Sequence, residues 1–260
     1  MGKVDVKNFI AGEFTQGSSG KTFEVRTPTD NSVIAVAHEA GKEDVACAVE
    51  SARAALSGPW GQMKIDDRVD MLHAIADGVN QRFDDFLEAE CLDTGKPHAL
   101  ARHIDIPRGA ANFKVFADMI KNVPSESFRM ETPDGAGALN ISHRAPKGVI
   151  GVISPWNLPL LLMTWKVGPA LACGNTVVVK PSEETPLTTT LLAEVMNSCG
   201  VPAGVYNVVH GFGPDSAGAF LTEHPGVDAI TFTGETGTGE VITSAAAKGL
   251  RDVSMECGGK

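Results

Sequence analysis

From Gly148 onward the chain alternates between short apolar, β-branched runs and stretches with apolar residues at helical spacing. The runs cover residues 149–153, 176–179, 205–209 and 229–232, with 252–256 as a fifth candidate. The helical stretches between them cover 160–172, 187–199, 216–222 and 239–247. Repeated strand–helix–strand units require a parallel sheet, because each crossover helix returns the chain to the same sheet edge. The expected fold is therefore α/β, a parallel sheet with helices on both faces. Each run is followed at once by a cluster of Gly, Pro or Ser, so these clusters gather at the carboxyl edge of the sheet, where such folds bind ligands.

The totals narrow the function. A chain of 260 residues can bury a sizeable core, as one large domain or two small ones. The net charge of -10 argues against nucleic acid and anionic membrane as partners, since both call for a basic surface. The five cysteines are widely spaced and odd in number, with no C-x-x-C, which favours a reducing cytoplasm over a disulfide framework or a zinc site. The seven histidines form no H-x-x-x-H pair, and no metal site is expected. The first ten residues are mixed and charged, unlike a signal peptide, and Val6 breaks the myristoylation pattern that Met1-Gly2 would open. Pro155, Asn157, Pro159 and Lys166 interrupt the most apolar stretch, so no membrane span is expected.

Before Gly148 the pattern is less regular. Residues 9–14 and 22–25 read as strands separated by the turn Gly17-Ser-Ser-Gly20. Residues 44–56 read as a helix, residues 66–91 as a longer amphipathic one, and Pro107 suits the first turn of another that runs to about Lys121. Residues 127–145 alternate loosely around Thr132-Pro-Asp-Gly135, which predicts a β-hairpin projecting from the domain.

The strand ends carry the candidate chemistry. Gly234, Gly237 and Gly239 fall where a strand turns into a helix, a place where backbone N–H groups and the helix dipole can hold a diphosphate. Their G-x-x-G-x-G spacing is not the dinucleotide fingerprint, and Gly211-Phe-Gly213 matches only part of it; taken singly, either cluster reads first as a tight turn. Glu183, with Lys180 beside it, could accept both hydroxyls of an adenosine ribose and repel a 2′-phosphate, favouring NAD over NADP; alternatively it is a helix-start acid. Asn157 could donate to a developing oxyanion or simply bond its own turn. Glu256 could serve as a general base or be a solvated charge.

Pro155-Trp-Asn-Leu-Pro159, Lys180-Pro-Ser-Glu183, Phe232-Thr-Gly234 and Glu256-Cys-Gly-Gly-Lys260 stand in the order and spacing of the motif set of aldehyde dehydrogenases, and the chain resembles that family over essentially its whole length. Several longer segments, among them Glu88-Ala-Glu-Cys-Leu-Asp-Thr-Gly-Lys-Pro97 and Phe232-Thr-Gly-Glu-Thr-Gly-Thr-Gly239, resemble the branch that acts on ring-cleavage semialdehydes of aromatic catabolism. The resemblance implies a Rossmann-like NAD-binding domain over residues 1–124 and 146–260, interrupted by an oligomerisation hairpin at 125–145. It implies that Ser154, Pro155 and Trp156 line the cofactor cleft and that Lys180 and Glu183 hold the adenosine ribose. Gly213, Gly234, Glu235 and Thr238 would lie by the adenine and diphosphate, with Phe232 beside the cofactor. Asn157 would donate to the oxyanion formed when a cysteine thiolate attacks the aldehyde. Hydride passes to NAD, and Glu256 would activate the water that releases the acid.

Three departures qualify this. The nucleophilic cysteine of the family stands roughly 30 to 35 residues beyond the Glu-x-Gly-Gly-Lys motif, so this chain alone is expected to bind NAD and turn over nothing. Cys257 takes a place that is usually Leu; side chains alternate along a strand, so Glu256 should not reach its thiol. Glu235 takes a place that is often Ser, and a carboxylate beside a diphosphate is unfavourable unless it turns to the helix start. The expected partners are NAD and a small aldehyde, with homo-oligomerisation through the hairpin. The absence of a second half should leave apolar surface exposed. A non-catalytic nucleotide-binding or assembly module is the alternative from another class.

Overall fold

The computed structural model describes residues 3–258, so Met1-Gly2 and the last two residues of the Glu-Cys-Gly-Gly-Lys motif lie outside it. Five parallel strands form its centre: β8 (Val149–Ile153), β9 (Thr176–Lys180), β10 (Tyr206–Val208), β11 (Ala229–Thr233) and β12 (Asp252–Glu256), as the alternation after Gly148 requires. Their order across the sheet is β12-β11-β8-β9-β10. Counted along the chain this is 5-4-1-2-3, with the direction of winding reversing between β8 and β11. That reversal opens a crevice at the carboxyl ends of those two strands, the ligand position of open α/β sheets.

The sheet is not wholly parallel. Residues 9–14, expected as one strand, fold instead as a hairpin of β2 (Asn8–Ile10) and β3 (Glu13–Thr15), and β2 adds antiparallel to β10. Ala11 and Gly12 both take positive φ, 54° and 86°, as a two-residue hairpin turn demands. Asn207 Oδ1 accepts from the Ala11 N–H at 3.1 Å, and Asn197 Nδ2 donates to the Gly12 carbonyl at 2.9 Å, pinning the turn to the sheet. A separate sheet orders β1 (Val4–Val6), β5 (Val33–His38) and β4 (Thr22–Arg26).

Helices cover both faces. α1 (Lys42–Ser57), α8 (Ala217–Glu223) and α9 (Thr236–Ala247) pack with Val149, Ile153, Val178, Ile230 and Phe232. α2 (Ile65–Gln81), α5 (Ile106–Lys121), α6 (Pro159–Ala172) and α7 (Leu187–Ser198) pack with Ile150, Val152, Val177, Val179 and Ala229. This even–odd division is the period-2 alternation of a strand buried on both faces. The amphipathic pattern expected to run from 66 to 91 divides at Arg82, which leaves helical geometry at φ -104°, ψ 26°, and α3 (Phe83–Thr94) begins anew. The apolar spacing carries across the break, which hides it from periodicity. Ahead of α5, α4 (His98–Leu100) runs into a π-helical turn, Ala101–Asp105. Pro107 has no N–H for an i−4 carbonyl, and the ladder shifts register just before it. The hairpin of β6 (Ser127–Met130) and β7 (Ala138–Ile141) forms a two-stranded sheet of its own.

Candidate functional site

Hydrogen bonds beyond the strand ends tie the candidate segments together. Ser154 N donates to the Lys180 carbonyl at 3.3 Å, Gly234 N to the Glu256 carbonyl at 3.1 Å, and Val209 N to the Val179 carbonyl at 2.9 Å. In the ladder, Lys180 pairs with Ile153, Ile153 with Phe232, and Phe232 with Met255. Lys180 and Phe232 thus flank Ile153 in one row, about 10 Å apart at the usual strand spacing. Ser154, Lys180, Gly234 and Glu256 all stand at one edge of one sheet, with Glu183 bonded to Lys180.

The two faces of that edge differ. On the α8–α9 face, Lys180 is buried and its Nζ lies 2.8 Å from Glu183 Oε2. Burial works against the Glu183 charge, but the Lys180 ammonium overrides it and holds the carboxyl below the usual range. Such a pair can offer an acceptor and a donor to neighbouring hydroxyls of one sugar. Phe232, buried, lies beneath the glycine turn: a Cβ at Gly234 would stand 2.5 Å from its ring. α9 begins at Thr236, three residues before its expected start, so Gly237 and Gly239 fall within its first turn and Glu235 is the N-cap. Thr238 is exposed.

The loop after β10 closes the same face. Gly211 takes φ 149°, and a Cβ there would stand 2.7 Å from Ser216 Oγ, so glycine is required. Phe212 N donates to Ser216 Oγ at 2.9 Å, and Ser216 Oγ donates to Glu39 Oε1 at 2.6 Å. Ala219 N bonds the Gly213 carbonyl at 2.9 Å, leaving Gly213 exposed at the rim. His210, absent from the sequence-level candidates, is buried here; burial and the neighbouring Lys180 charge push its imidazole down to about 3, so it stays neutral. His38, a further neighbour, acts in the same direction.

On the α6 face, Glu256 lines a cavity of about 530 Å³ with Lys166, Trp165, Phe116 and Thr231. Lys166 is buried and its Nζ donates to Thr231 Oγ1 at 3.1 Å; burial lowers its pKa, and the Glu256 charge partly opposes this. Lys166 was legible as a lone cation in an otherwise apolar helical run, but its register toward Glu256 was not. Cys257 points the other way, its Sγ 2.8 Å from where a Cβ of Gly239 would sit. Pro155, Trp156 and Asn157 form the bend between β8 and α6, with Trp156 and Asn157 exposed. Glu90, fully buried, accepts from Leu160 N in the first turn of α6 at 3.3 Å and so anchors the end of that bend. Among the described residues, no group of three or more His, Cys, Asp or Glu is placed to hold a metal. None of the helices among them is long and apolar enough to cross a membrane.

Comparison with known proteins fits this architecture. The aldehyde dehydrogenase family model matches residues 14–260. The chain is 72% identical over 256 residues to a 2-hydroxymuconic semialdehyde dehydrogenase of Pseudomonas sp. (strain CF600), covering 98% of this chain and 53% of that protein. It is 58% identical over 254 residues to a 2-aminomuconic 6-semialdehyde dehydrogenase of Pseudomonas sp., covering 98% of this chain and 51% of that one. An aldehyde dehydrogenase from Bacillus cereus, solved as its NAD+ complex, superposes with a TM-score of 0.93 at 39% identity, over 98% of this chain and 51% of that one. The chain thus spans about half the length of the relatives it matches. By sequence and by fold, it belongs to the aldehyde dehydrogenase family.

Proposed function

We propose that this chain supplies the cofactor-binding half of an NAD-dependent dehydrogenase acting on a semialdehyde of the 2-hydroxymuconic type. The observation that supports this is the shared sheet edge, where Ser154, Lys180, Gly234 and Glu256 end adjacent strands in the order β12-β11-β8-β9 and the winding reverses between β8 and β11. The residues fit a dinucleotide. Lys180 and Glu183 face the ribose hydroxyls of its adenosine half, Gly213 lies by the adenine, and Gly234 and Thr238 lie by the diphosphate. Ser154, Pro155 and Trp156 wall the cleft, and Phe232 holds the turn from beneath. Glu183 favours NAD over NADP, because its charge opposes a 2′-phosphate.

NAD, when bound, accepts the hydride. Asn157, exposed on its bend, donates to the oxygen on which negative charge develops. Glu256, on the other face, would take a proton from the water that attacks the cysteine-bound acyl group and releases the acid. Cys257 lies against Gly239 on the face away from Glu256, and these 260 residues are proposed to bind NAD without turning over aldehyde alone. Incubating the chain with NAD and a semialdehyde and following absorbance of reduced cofactor tests this: no reduction is expected, and turnover would refute it. The hairpin is proposed as an oligomer contact because it presents Phe128, Met130, Leu139 and Ile141 at 62%, 51%, 61% and 67% exposure.

A further inference from the structure

The first turn of α9 carries three N–H groups without a partner inside the helix, on Thr236, Gly237 and Thr238. Gly239 is the first to close the ladder, donating to the Glu235 carbonyl at 3.1 Å. One side chain lies over this turn. Thr238 N donates to Glu235 Oε2 at 2.9 Å. The Gly237 N–H, and then that of Thr238, hold the Glu235 carboxyl below its ordinary range. A Cβ at Gly237 would stand 3.0 Å from Oε2, so the carboxylate lies close over the turn. From beneath, Phe232 and Cys257 pack against Gly234 and Gly239. A ligand therefore reaches these N–H groups from the exposed side, where the carboxylate already lies.

Resting on the dinucleotide cleft proposed above, we infer that Glu235 is an internal competitor for the cofactor diphosphate, occupying the α9 N–H groups until it swings away. Two anions cannot share these donors, because a like charge within a few ångströms opposes binding. Glu235 is exposed, so its displaced carboxylate returns to water and the exchange is reversible. Glu235 thereby tunes affinity for the phosphate portion of the ligand and leaves the nucleoside portion alone. An uncharged residue there would leave the same turn free for the diphosphate.

The test compares ADP and adenosine, titrated by calorimetry into the wild-type chain, Glu235→Gln and Glu235→Ser. Serine keeps a hydroxyl that can cap α9, and glutamine keeps the length without the charge; circular dichroism verifies that both variants fold. ADP is expected to bind about five- to tenfold more tightly to both variants, with adenosine unchanged. Equal ADP affinity in all three proteins, with adenosine still binding, would overturn the competition while the cleft stands. Weaker ADP binding in the variants would overturn it by making Glu235 a contributor. Absence of binding by either nucleotide to any of the three, at millimolar concentration, would remove the cleft and the competition together.

Discussion

Replacing Glu183 with alanine removes the acceptor of the Lys180–Glu183 pair and separates two effects that a single assay would merge. In the proposed complex the carboxylate accepts from two ribose hydroxyls, and a hydrogen bond to a charged group is worth about 1.5–3 kcal/mol. Against this, the free carboxylate is partly hydrated, with its side chain 32% exposed, and must shed that water. A net loss of about 2 kcal/mol corresponds to an NAD dissociation constant raised about thirtyfold. The second effect is on the fold. The Lys180 side chain is 7% exposed, and without Glu183 its ammonium loses a partner at 2.8 Å. Leaving that charge unpaired costs about 2 kcal/mol, or roughly 4–8 °C in thermal midpoint for a domain of this size.

Calorimetric titration of NAD at fixed salt, with thermal melts of the same samples, measures both. The Lys180→Met/Glu183→Ala double variant should recover most of the melting temperature, since no buried charge is stranded, while its NAD affinity stays low. NADP should gain relative to NAD in Glu183→Ala as the repulsion of a 2′-phosphate disappears. An NAD affinity equal to wild type in a folded Glu183→Ala protein would refute the ribose role. Recovery of NAD affinity in the double variant would refute it as well, by showing that the loss came from Lys180.

Other groups give separate expectations. Burial first, opposed by Lys96 and reinforced by Asp105, pushes the Glu90 carboxyl up to about 7. Its folded pKa lies above the unfolded one, so Glu90 costs stability as pH rises from about 4.5 to 7. Glu90→Gln should therefore gain on wild type across that window, by roughly 3 kcal/mol at most; denaturant melts showing a pH-independent difference would contradict this. His210 behaves oppositely, being buried neutral with its imidazole at about 3. Its contribution is full above the unfolded value of about 6.5 and lost as pH falls toward 3, so His210→Gln should flatten that acid limb in pH-dependent melts. Phe128→Ser with Ile141→Ser should lower the mass in solution by light scattering if the hairpin assembles copies; an unchanged mass rejects that role.

The sequence made the strand ends legible because each parallel strand had to be apolar on both faces and had to stop at a turn-forming cluster. That logic located Ser154, Lys180, Gly234 and Glu256 together. It was silent where long-range contacts decide. The hairpin at Ala11–Gly12 is fixed by Asn197 and Asn207, nearly two hundred residues away. The break at Arg82 preserves the apolar spacing that would have revealed it. β5, Val-Ile-Ala-Val-Ala-His, is strand-like in composition, but its place in a separate sheet between β1 and β4 is set by long-range pairing. Apolar spacing places the start of α9 late because its first turn is rich in glycine, which propensity counts against a helix; Glu235 caps it by accepting from Thr238 N. His210 and Lys166 read as ordinary residues because burial, the property that makes them unusual, belongs to the assembled layers.

Adjacency of β8 and β11 joins residue 150 to residue 229, with β9, β10 and three helices threaded between. The crevice therefore depends on contacts far apart in sequence, whose loop closure must be met from conformational entropy. A nucleotide that recognises only the closed form draws the folding equilibrium toward it in proportion to the logarithm of its concentration. In the proposed complex, dinucleotide would therefore add to the stability of the fold by mass action.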